Sequence, residues 1–406
     1  MMHRLSPTAV LIVALVPAAE LSAQPVDSLR IMTFNVWTGE GTPAGRDKLR
    51  QIMLASGADI IGVQELDNSA GRSIATVMDF HYHQQSGGDI QVISRYPIVA
   101  TSPSNLGVNI SVSPSQSIWL FNSHLAPYPY QPYDLRDGLL PSNENAVIAA
   151  ANSARGAQVT TYLNDMADAL DSDLPVFFTG DFNEPSFLDW TAEAASATAR
   201  PFDLKVEYPA SKRIVDAGMI DSFRALRPDE VSDTAYTWTP GYPYPTLSST
   251  EVHDRIDIIY HSGRGVTATS GFNVGPLDGN PNTHFAVAGY NADHRAVVVE
   301  YDMPGCSPLV DLNDDCSLDS ADWGMFRNGQ FRDMTGLTAA QAYALGDLNG
   351  DFRNDHADFL IFKRSFEAAH GASAFATLFT EVPELPTSLL AIIVLGIGLM
   401  TRRAGP

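Results

Sequence analysis

The apolar stretch Pro175-Val176-Phe177-Phe178 runs directly into Thr179-Gly180-Asp181-Phe182-Asn183-Glu184-Pro185. Such a short apolar run reads as a buried strand, so the fold must bring a carboxylate and a carboxamide to the end of a core strand. Side chains alternate along an extended backbone, which places Asp181 and Asn183 on one face. Paired in this way they can orient a water and hold a phosphoryl oxygen. Alone, Asp-x-Asn is equally a turn former. Its weight comes from five further polar clusters at strand-like ends. Ile31-Met32-Thr33-Phe34-Asn35-Val36-Trp37 carries Asn35, and Asp59-Ile60-Ile61-Gly62-Val63-Gln64-Glu65 ends on Glu65. Ile118-Trp119-Leu120-Phe121-Asn122-Ser123-His124-Leu125 ends on His124. His253-Asp254-Arg255-Ile256-Asp257-Ile258-Ile259-Tyr260 sets acids beside a β-branched run, and Ala292-Asp293-His294-Arg295 precedes a last strand at 296–301.

Apolar runs near Ile31, Ile60, Val92, Ile118, Val176, Ile258 and Val298 are strand candidates. Residues 46–56 and 143–170 space their apolar positions as helices. Many short strands with few helices imply two packed sheets with helices outside. The ordered polar set, across roughly residues 29–302, resembles the endonuclease/exonuclease/phosphatase superfamily, which includes DNases, abasic-site endonucleases, sphingomyelinases and inositol-polyphosphate 5-phosphatases. The resemblance implies a four-layered α/β/β/α sandwich of two mixed sheets, with the site at one end between them. One departure is Ala292, where that family usually has Ser.

The chain carries a net charge of -22, and residues 24–303 alone hold 17 Lys plus Arg against 33 Asp plus Glu. A broad electropositive surface for nonspecific duplex binding is therefore disfavoured. His3 and Arg4, an apolar run at 9–19 and Leu21-Ser22-Ala23 read as a secretory signal peptide over residues 1–23. In an exported protein the two cysteines, Cys306 and Cys316, can close one short disulfide loop, or remain as two buried thiols.

Residues 304–368 contain an internal repeat. Asp311, Asn313, Asp315, Asp319 and Asp322 match Asp347, Asn349, Asp351, Asp355 and Asp358 at positions 1, 3, 5, 9 and 12 of an EF-hand-like loop. Oxygen ligands at this spacing suit Ca²⁺. The unit resembles a type I dockerin, which implies a small all-α Ca-binding domain and a cohesin-like protein partner. Position 6, usually Gly, is Cys316 or Phe352. Residues 369–406 add a polar spacer, Val382-Pro383-Glu384, an apolar run at 389–400 and Arg402-Arg403. This resembles a PEP-CTERM sorting tail, implying envelope sorting machinery as a partner. The alternative is a plain membrane anchor, although about 12 residues is short against the roughly 20 of a bilayer span. Together these segments predict an exported protein of the cell envelope or the extracellular space.

Phosphoester hydrolysis needs a cation, a polarised water and charge stabilisation. Glu65 is the leading ligand for Mg²⁺ or Mn²⁺, because a carboxylate ending a buried strand is costly without a cation. The family resemblance adds Asn35 and Asp293 to the metal site. It makes His294 the general base, oriented by Asp257 with Asp254 as rival, and gives water and phosphoryl positioning to Asp181, Asn183 and His124. After His124 the chain is rich in Tyr and Pro, and Tyr130 and Arg136 are the candidate substrate contacts. The expected activity is hydrolysis of a phosphodiester or phosphomonoester in nucleic acid, a phospholipid headgroup or a small organic phosphate. A non-catalytic surface scaffold using the repeat is the rival. The completeness of the polar set weighs against it.

Overall fold

The computed structural model describes residues 26–37, 41–113, 116–172, 174–197, 202–242, 244–263, 265–303, 310–313, 318–337, 339–371 and 373–379. The strands are β1 (Ser28–Asn35), β2 (Ile60–Gln64), β3 (His81–Gln84), β4 (Ile90–Ser94), β5 (Ile98–Thr101), β6 (Gly107–Ser113), β7 (Gln116–His124), β8 (Val176–Asp181), β9 (Ile220–Asp221), β10 (Asp257–Ser262), β11 (Thr267–Pro276), β12 (Phe285–Val287) and β13 (Ala296–Asp302). They form two mixed sheets, ordered β12-β11-β13-β1-β2-β4-β3 and β5-β6-β7-β8-β10-β9. In the first, β1 runs parallel to β2 and antiparallel to β13. In the second, β8 runs parallel to β7 and antiparallel to β10.

The alternation of side chains sorts each central strand into two cores. Leu29 and Ile31 of β1, Ile60 of β2, Ile118 and Leu120 of β7, Phe177 of β8, Ile259 of β10 and Val297 and Val299 of β13 fill the space between the sheets. Their neighbours Met32, Phe34, Ile61, Val63 and Val298 face the other way. There they meet Leu49, Ile52 and Met53 of α1 (Pro43–Ser56) and Ile74 and Ala75 of α2 (Asn68–Met78). Thr42 and Asp67 cap these two helices through their side chains. A short α3 (Gln131–Arg136) precedes the long α4 (Glu144–Leu170), which Asn143 caps. Val159, Tyr162 and Met166 of α4 cover the outer face of the second sheet against Phe121, Phe178, Ile258 and Tyr260. The expected helix–sheet–sheet–helix layering is therefore what forms.

Between the sheets the apolar filling stops four residues short of the strand ends, and a polar layer follows. Past Ile31, Ile60, Leu120 and Phe177 the same faces present Thr33, Gly62, Asn122 and Thr179. Gln64 Nε2 donates to Asn122 Oδ1 at 2.6 Å and to Thr33 Oγ1 at 3.1 Å. Asn122 Nδ2 donates across the gap to the Val63 and Gln91 carbonyls, both at 3.1 Å. Thr179 Oγ1 donates to Asn122 Oδ1 at 3.0 Å. Gly62 leaves the room for this: a Cβ there would lie 2.2 Å from Thr179 Oγ1.

Residues 310–379 have a separate apolar core of Val310, Leu312, Trp323, Phe326, Leu348, Phe362 and Phe366. After the short helices α5 (Ala192–Ser196), α6 (Pro209–Asp216) and α7 (Ser222–Leu226), it is carried by α8 (Ser320–Gly329), α9 (Ala339–Tyr343) and α10 (His356–His370). The repeat is visible in its bonding. Asp322 and Asp358 each accept the backbone N–H of Leu312 and Leu348 at 2.7 Å, and each closes a capping box with Asp319 or Asp355. Phe352 stands at φ 62°, in the left-handed region where glycine is the ordinary choice. Asp315, both cysteines, the signal-peptide segment and the sorting tail lie outside the described residues. Among the described residues no helix is long and apolar enough to cross a membrane.

Replacing Asn122 by Ala strips three buried groups of a partner across the sheet interface, and Thr179 of one within its own sheet. We expect a loss of about 3 kcal/mol or more, read as a lower urea midpoint. An unchanged midpoint would show that the sheets are not joined here.

Candidate active site

Asn35, His124, Asp181 and Asp257 occupy the ends of β1, β7, β8 and β10, one step beyond the polar layer. Glu65 follows β2 at φ 57°, a left-handed turn that ends the strand at Gln64. Its side chain is about one-third exposed rather than buried, at 31%. Asn35 Nδ2 donates to Glu65 Oε1 at 3.0 Å and to Asp181 Oδ2 at 2.9 Å, tying the two sheets together at the site. His294 Nδ1 lies 2.8 Å from Asp257 Oδ2 and its Nε2 lies 3.8 Å from Asp181 Oδ2. Of the two candidate orienters, Asp257 is therefore the one that contacts the ring. Asp254 instead accepts from Tyr130 and Trp190.

His124 forms a second histidine–carboxylate pair. Its Nδ1 sits 2.7 Å from Asp89 Oδ2, and its Nε2 lies 3.5 Å from Glu65 Oε1. Asp89 was not legible in the sequence: it follows Gly87-Gly88 as an ordinary turn residue, and only the pairing of β4 with β2 brings it beside β7. Burial works against a charge on either imidazole. The carboxylates outweigh it, pushing His124 up to about 9 and His294 up to about 10. Burial pushes Asp293 up to about 7, with Glu65 and Asp181 adding to the rise and His294 opposing it. Asp181 is likewise raised, first by burial and also by Asp257.

Asn183 departs from the expected alternation. The strand ends at Asp181, and Asn183 turns into the left-handed region at φ 48°. Its N–H donates to Asp181 Oδ1 at 2.8 Å and its Nδ2 to the Leu125 carbonyl at 2.9 Å. It still lines the cleft, a space of about 240 Å³ whose floor includes Glu65, Asp181, Asp293 and His294. Pro127, Tyr128, Tyr130 and Tyr133 bring the Tyr/Pro loop over this floor, with Trp37 and Trp238 beside it. Arg155 of α4 anchors the loop from behind, donating to the carbonyls of Ala126, Pro127 and Pro129 and to Gln131 Oε1. Arg136 is not among the cleft-lining residues; its guanidinium lies over the Tyr133 ring at 4.3 Å and pairs with Asp137 at 2.8 Å. Tyr130 lines the cleft, but its hydroxyl is taken by Asp254, so only ring surface is left for a ligand.

The donor set fits a hard divalent cation. Glu65, His124 and Asp181 bring ligand atoms within 4.8 Å of one another, as do Asp181, Asp257 and His294. The buried atoms Asp293 Oδ1, Asp257 Oδ1 and His124 Nε2 have no hydrogen-bond partner among the described residues. Carboxylates that raise one another's pKa in this way are relieved by a bound cation, and oxygen ligands suit Mg²⁺ or Mn²⁺. Asp293 stands outside both ligand groupings and meets the site as part of the cleft floor.

The family model for the Endonuclease/Exonuclease/phosphatase family matches residues 32–283. The chain belongs to this family. An uncharacterized protein of Caenorhabditis elegans is 27% identical over 253 residues, which is 58% of this chain and 79% of the relative. Among solved structures, D. rerio TDP2 complexed with a single-strand DNA product is 18% identical, with a TM-score of 0.44 over 68% of this chain and 100% of that one. An AP endonuclease from Archaeoglobus fulgidus is 14% identical, also at 0.44, with the same two coverages. Neither likeness bears on what this chain acts on. The family match supports metal-dependent phosphoesterase chemistry in general, and the matched residues contain the site-bearing ends of β1, β2, β7, β8 and β10, with Asp293 and His294 falling beyond.

A pH titration follows from the raised histidines. His294 gains its charge on folding, so its contribution to stability is full below its ordinary 6.5 and is lost as pH rises through about 10. In the metal-free protein, NMR should find the His294 ring still cationic at pH 8. A ring titrating near 6.5 would contradict the pairing with Asp257 and Asp181.

Proposed function

We propose that this chain is a divalent-metal-dependent phosphoesterase that hydrolyses a phosphodiester or phosphomonoester by attack of water. The observation that carries this reading is the convergence of Asn35, Glu65, His124, Asp181, Asp257 and His294 on one end of the inter-sheet space, beside the Asp293 floor. In the proposed site Glu65 and Asp293, with Asn35 beside them, would hold Mg²⁺ or Mn²⁺. When bound, such an ion polarises a phosphoryl oxygen and offsets developing negative charge.

The remaining steps fall to the protein. Asp257 fixes the tautomer of His294 through Nδ1 and leaves Nε2 to take the proton of the attacking water. Asp181, 3.8 Å from that Nε2, together with Asn183, positions the water. His124, held by Asp89, offers its Nε2 to a nonbridging oxygen or to the leaving group. A base that starts as a cation must lose its proton first, so the rate should rise with pH until His294 is neutral. Neutralising the acids around it with a divalent ion brings that pH below the metal-free value of about 10.

We also propose that the repeat binds two Ca²⁺, and that the chain is exported and processed at both ends. Five acidic or amide side chains per loop repel one another without a cation, and binding to the folded loops adds stability. Calorimetry should detect Ca²⁺ heat that is lost on replacing Asp311 and Asp347 by Ala; heat unchanged in that variant counts against the repeat. Intact mass of the native protein decides export: a start at Gln24 and loss of the tail support it, and a full-length species overturns it.

Purified full-length chain with Mg²⁺ or Mn²⁺ should hydrolyse at least one of plasmid DNA, sphingomyelin, an inositol phosphate or a simple aryl phosphodiester. Chelator should abolish the activity. Glu65→Ala, Asp181→Asn and His294→Ala should each cost roughly 10²–10⁴-fold in rate. Full activity in His294→Ala on every substrate cleaved by the parent would remove His294 as the base.

A further inference from the structure

Beside the catalytic floor the chain builds an aromatic wall that the hydrolytic steps leave unused. Tyr130 and Tyr133 meet edge to face at 4.9 Å and 80°. The Trp238 ring lies 4.9 Å from the His294 ring and stacks on Tyr242 at 5.6 Å and 16°. Tyr130, Tyr133 and Trp238 all line the cleft.

The polar edges of these rings are tied to two carboxylates three positions apart. Tyr133 donates its hydroxyl proton to Glu251 Oε1, and Trp238 Nε1 donates to the same oxygen at 3.2 Å and to the Tyr133 hydroxyl at 2.8 Å. Tyr242 donates to Glu251 Oε2 at 3.2 Å. Tyr130 donates to Asp254 Oδ2 and Trp190 Nε1 to Asp254 Oδ1, both at 2.8 Å. The backbones of Asp254 and Trp238 exchange hydrogen bonds at 3.0 and 3.1 Å. Neither Glu251 nor Asp254 is among the cleft-lining residues. They act on a ligand only through the rings they hold.

We propose that Tyr133 and Trp238, spaced by Glu251 and Asp254, form a stacking subsite for a planar organic group carried on the phosphoester. The inference rests on the phosphoesterase reading and names the substrate class of that same site. With the hydroxyls and the indole N–H engaged inside the protein, and with Arg136 over the Tyr133 ring and Tyr242 stacked on Trp238, the ring surface that lines the cleft is what these side chains offer. Ring surface selects for flat, polarisable groups whatever their hydrogen-bonding pattern. Because the spacing is fixed before binding, little ordering cost opposes the stacking. Glu251 and Asp254 are positioning residues in this scheme.

The test uses full-length chain with Mg²⁺ and two diesters that share a leaving group, phenyl p-nitrophenyl phosphate and methyl p-nitrophenyl phosphate. The parent should favour the phenyl ester by about tenfold or more in kcat/KM. Glu251→Ala should erase most of that preference by raising KM for the phenyl ester, with kcat on the methyl ester and the pH profile retained. Glu251→Gln, which keeps an acceptor oxygen, should restore part of it. Equal rates on the two esters in the parent overturn the proposal, as does an equal fall in kcat on both esters in Glu251→Ala. If Glu251→Ala does not fold, Tyr133→Phe removes only the hydroxyl anchor and must lower the preference; an unchanged ratio overturns the clamp. If the parent hydrolyses no ester, the phosphoesterase reading fails by itself. The wall is then tested by calorimetry with phenylphosphonate and methylphosphonate, and equal affinity overturns it.

Discussion

The carboxamide of Asn122 is the joint on which the site depends. It lies between the sheets and accepts from Gln64 of one and Thr179 of the other, while its own N–H groups bond two carbonyls of the first sheet. Apolar side chains hold two sheets together without fixing their offset, because dispersion contacts tolerate sliding. Directional bonds between buried amides do not. The layer around Asn122 therefore sets the register of one sheet on the other. One step further along the same faces come Asn35, His124 and Asp181. The 2.9 and 3.0 Å bonds from Asn35 to carboxylates on both sheets are possible only at that offset. Gly62 belongs to the same device, since any larger residue would push Thr179 and Asn122 away.

Such a site concentrates charge that the fold alone would not choose. Asp181, Asp257, Asp293 and His294 are all buried, and Asp181 and Asp257 bring carboxylate oxygens within 4.8 Å of each other. Burial disfavours every one of those charges. The two histidines offset part of the cost by holding protons well above their ordinary range. The rest is left unneutralised, which is the electrostatic condition for binding a divalent ion. A site stable without a cation would not need one.

Much of this was legible in the sequence because apolar alternation and polar strand ends are both local patterns. The seven runs read as strands are strands, and the expected helices at 46–56 and 143–170 appear as Pro43–Ser56 and Glu144–Leu170. The gathering of Asn35, Glu65, His124, Asp181, Asp257 and His294 was also expected. What was missed lies where the backbone leaves regular geometry. Asn183 was placed by extended alternation, yet the strand ends two residues before it. Arg136, expected as a phosphate contact, ends α3 paired with Asp137. Asp89 and Trp238 enter the site by long-range pairing, and neither residue stands in a local pattern that marks it. The resemblance favoured Asp257 over Asp254 as the orienter, and Asp257 is the one that touches the His294 ring.

Four arginines near the site are engaged within the protein rather than in the cleft lining. Arg155 is spent on three carbonyls and Gln131, and Arg224 on Asp189 and the carbonyls of Arg227, Asp233 and Thr234. Arg255 is locked between Asp189 and Asp221, and Arg295 is held by Tyr236, Thr283 and Asp278. Arg155 fixes the Tyr/Pro loop that lines the cleft, the others are engaged outside the lining, and among the described residues lining the cleft there is no Lys or Arg. In the proposed phosphoesterase, phosphate charge would be met by a bound cation and the two imidazoles, within a chain of net charge -22. Each further phosphate on a substrate would find no fixed cation in the lining and would feel the field of the surrounding acids. Under the proposed stacking subsite, selection would fall to the organic part of the substrate, because aromatic rings line the cleft.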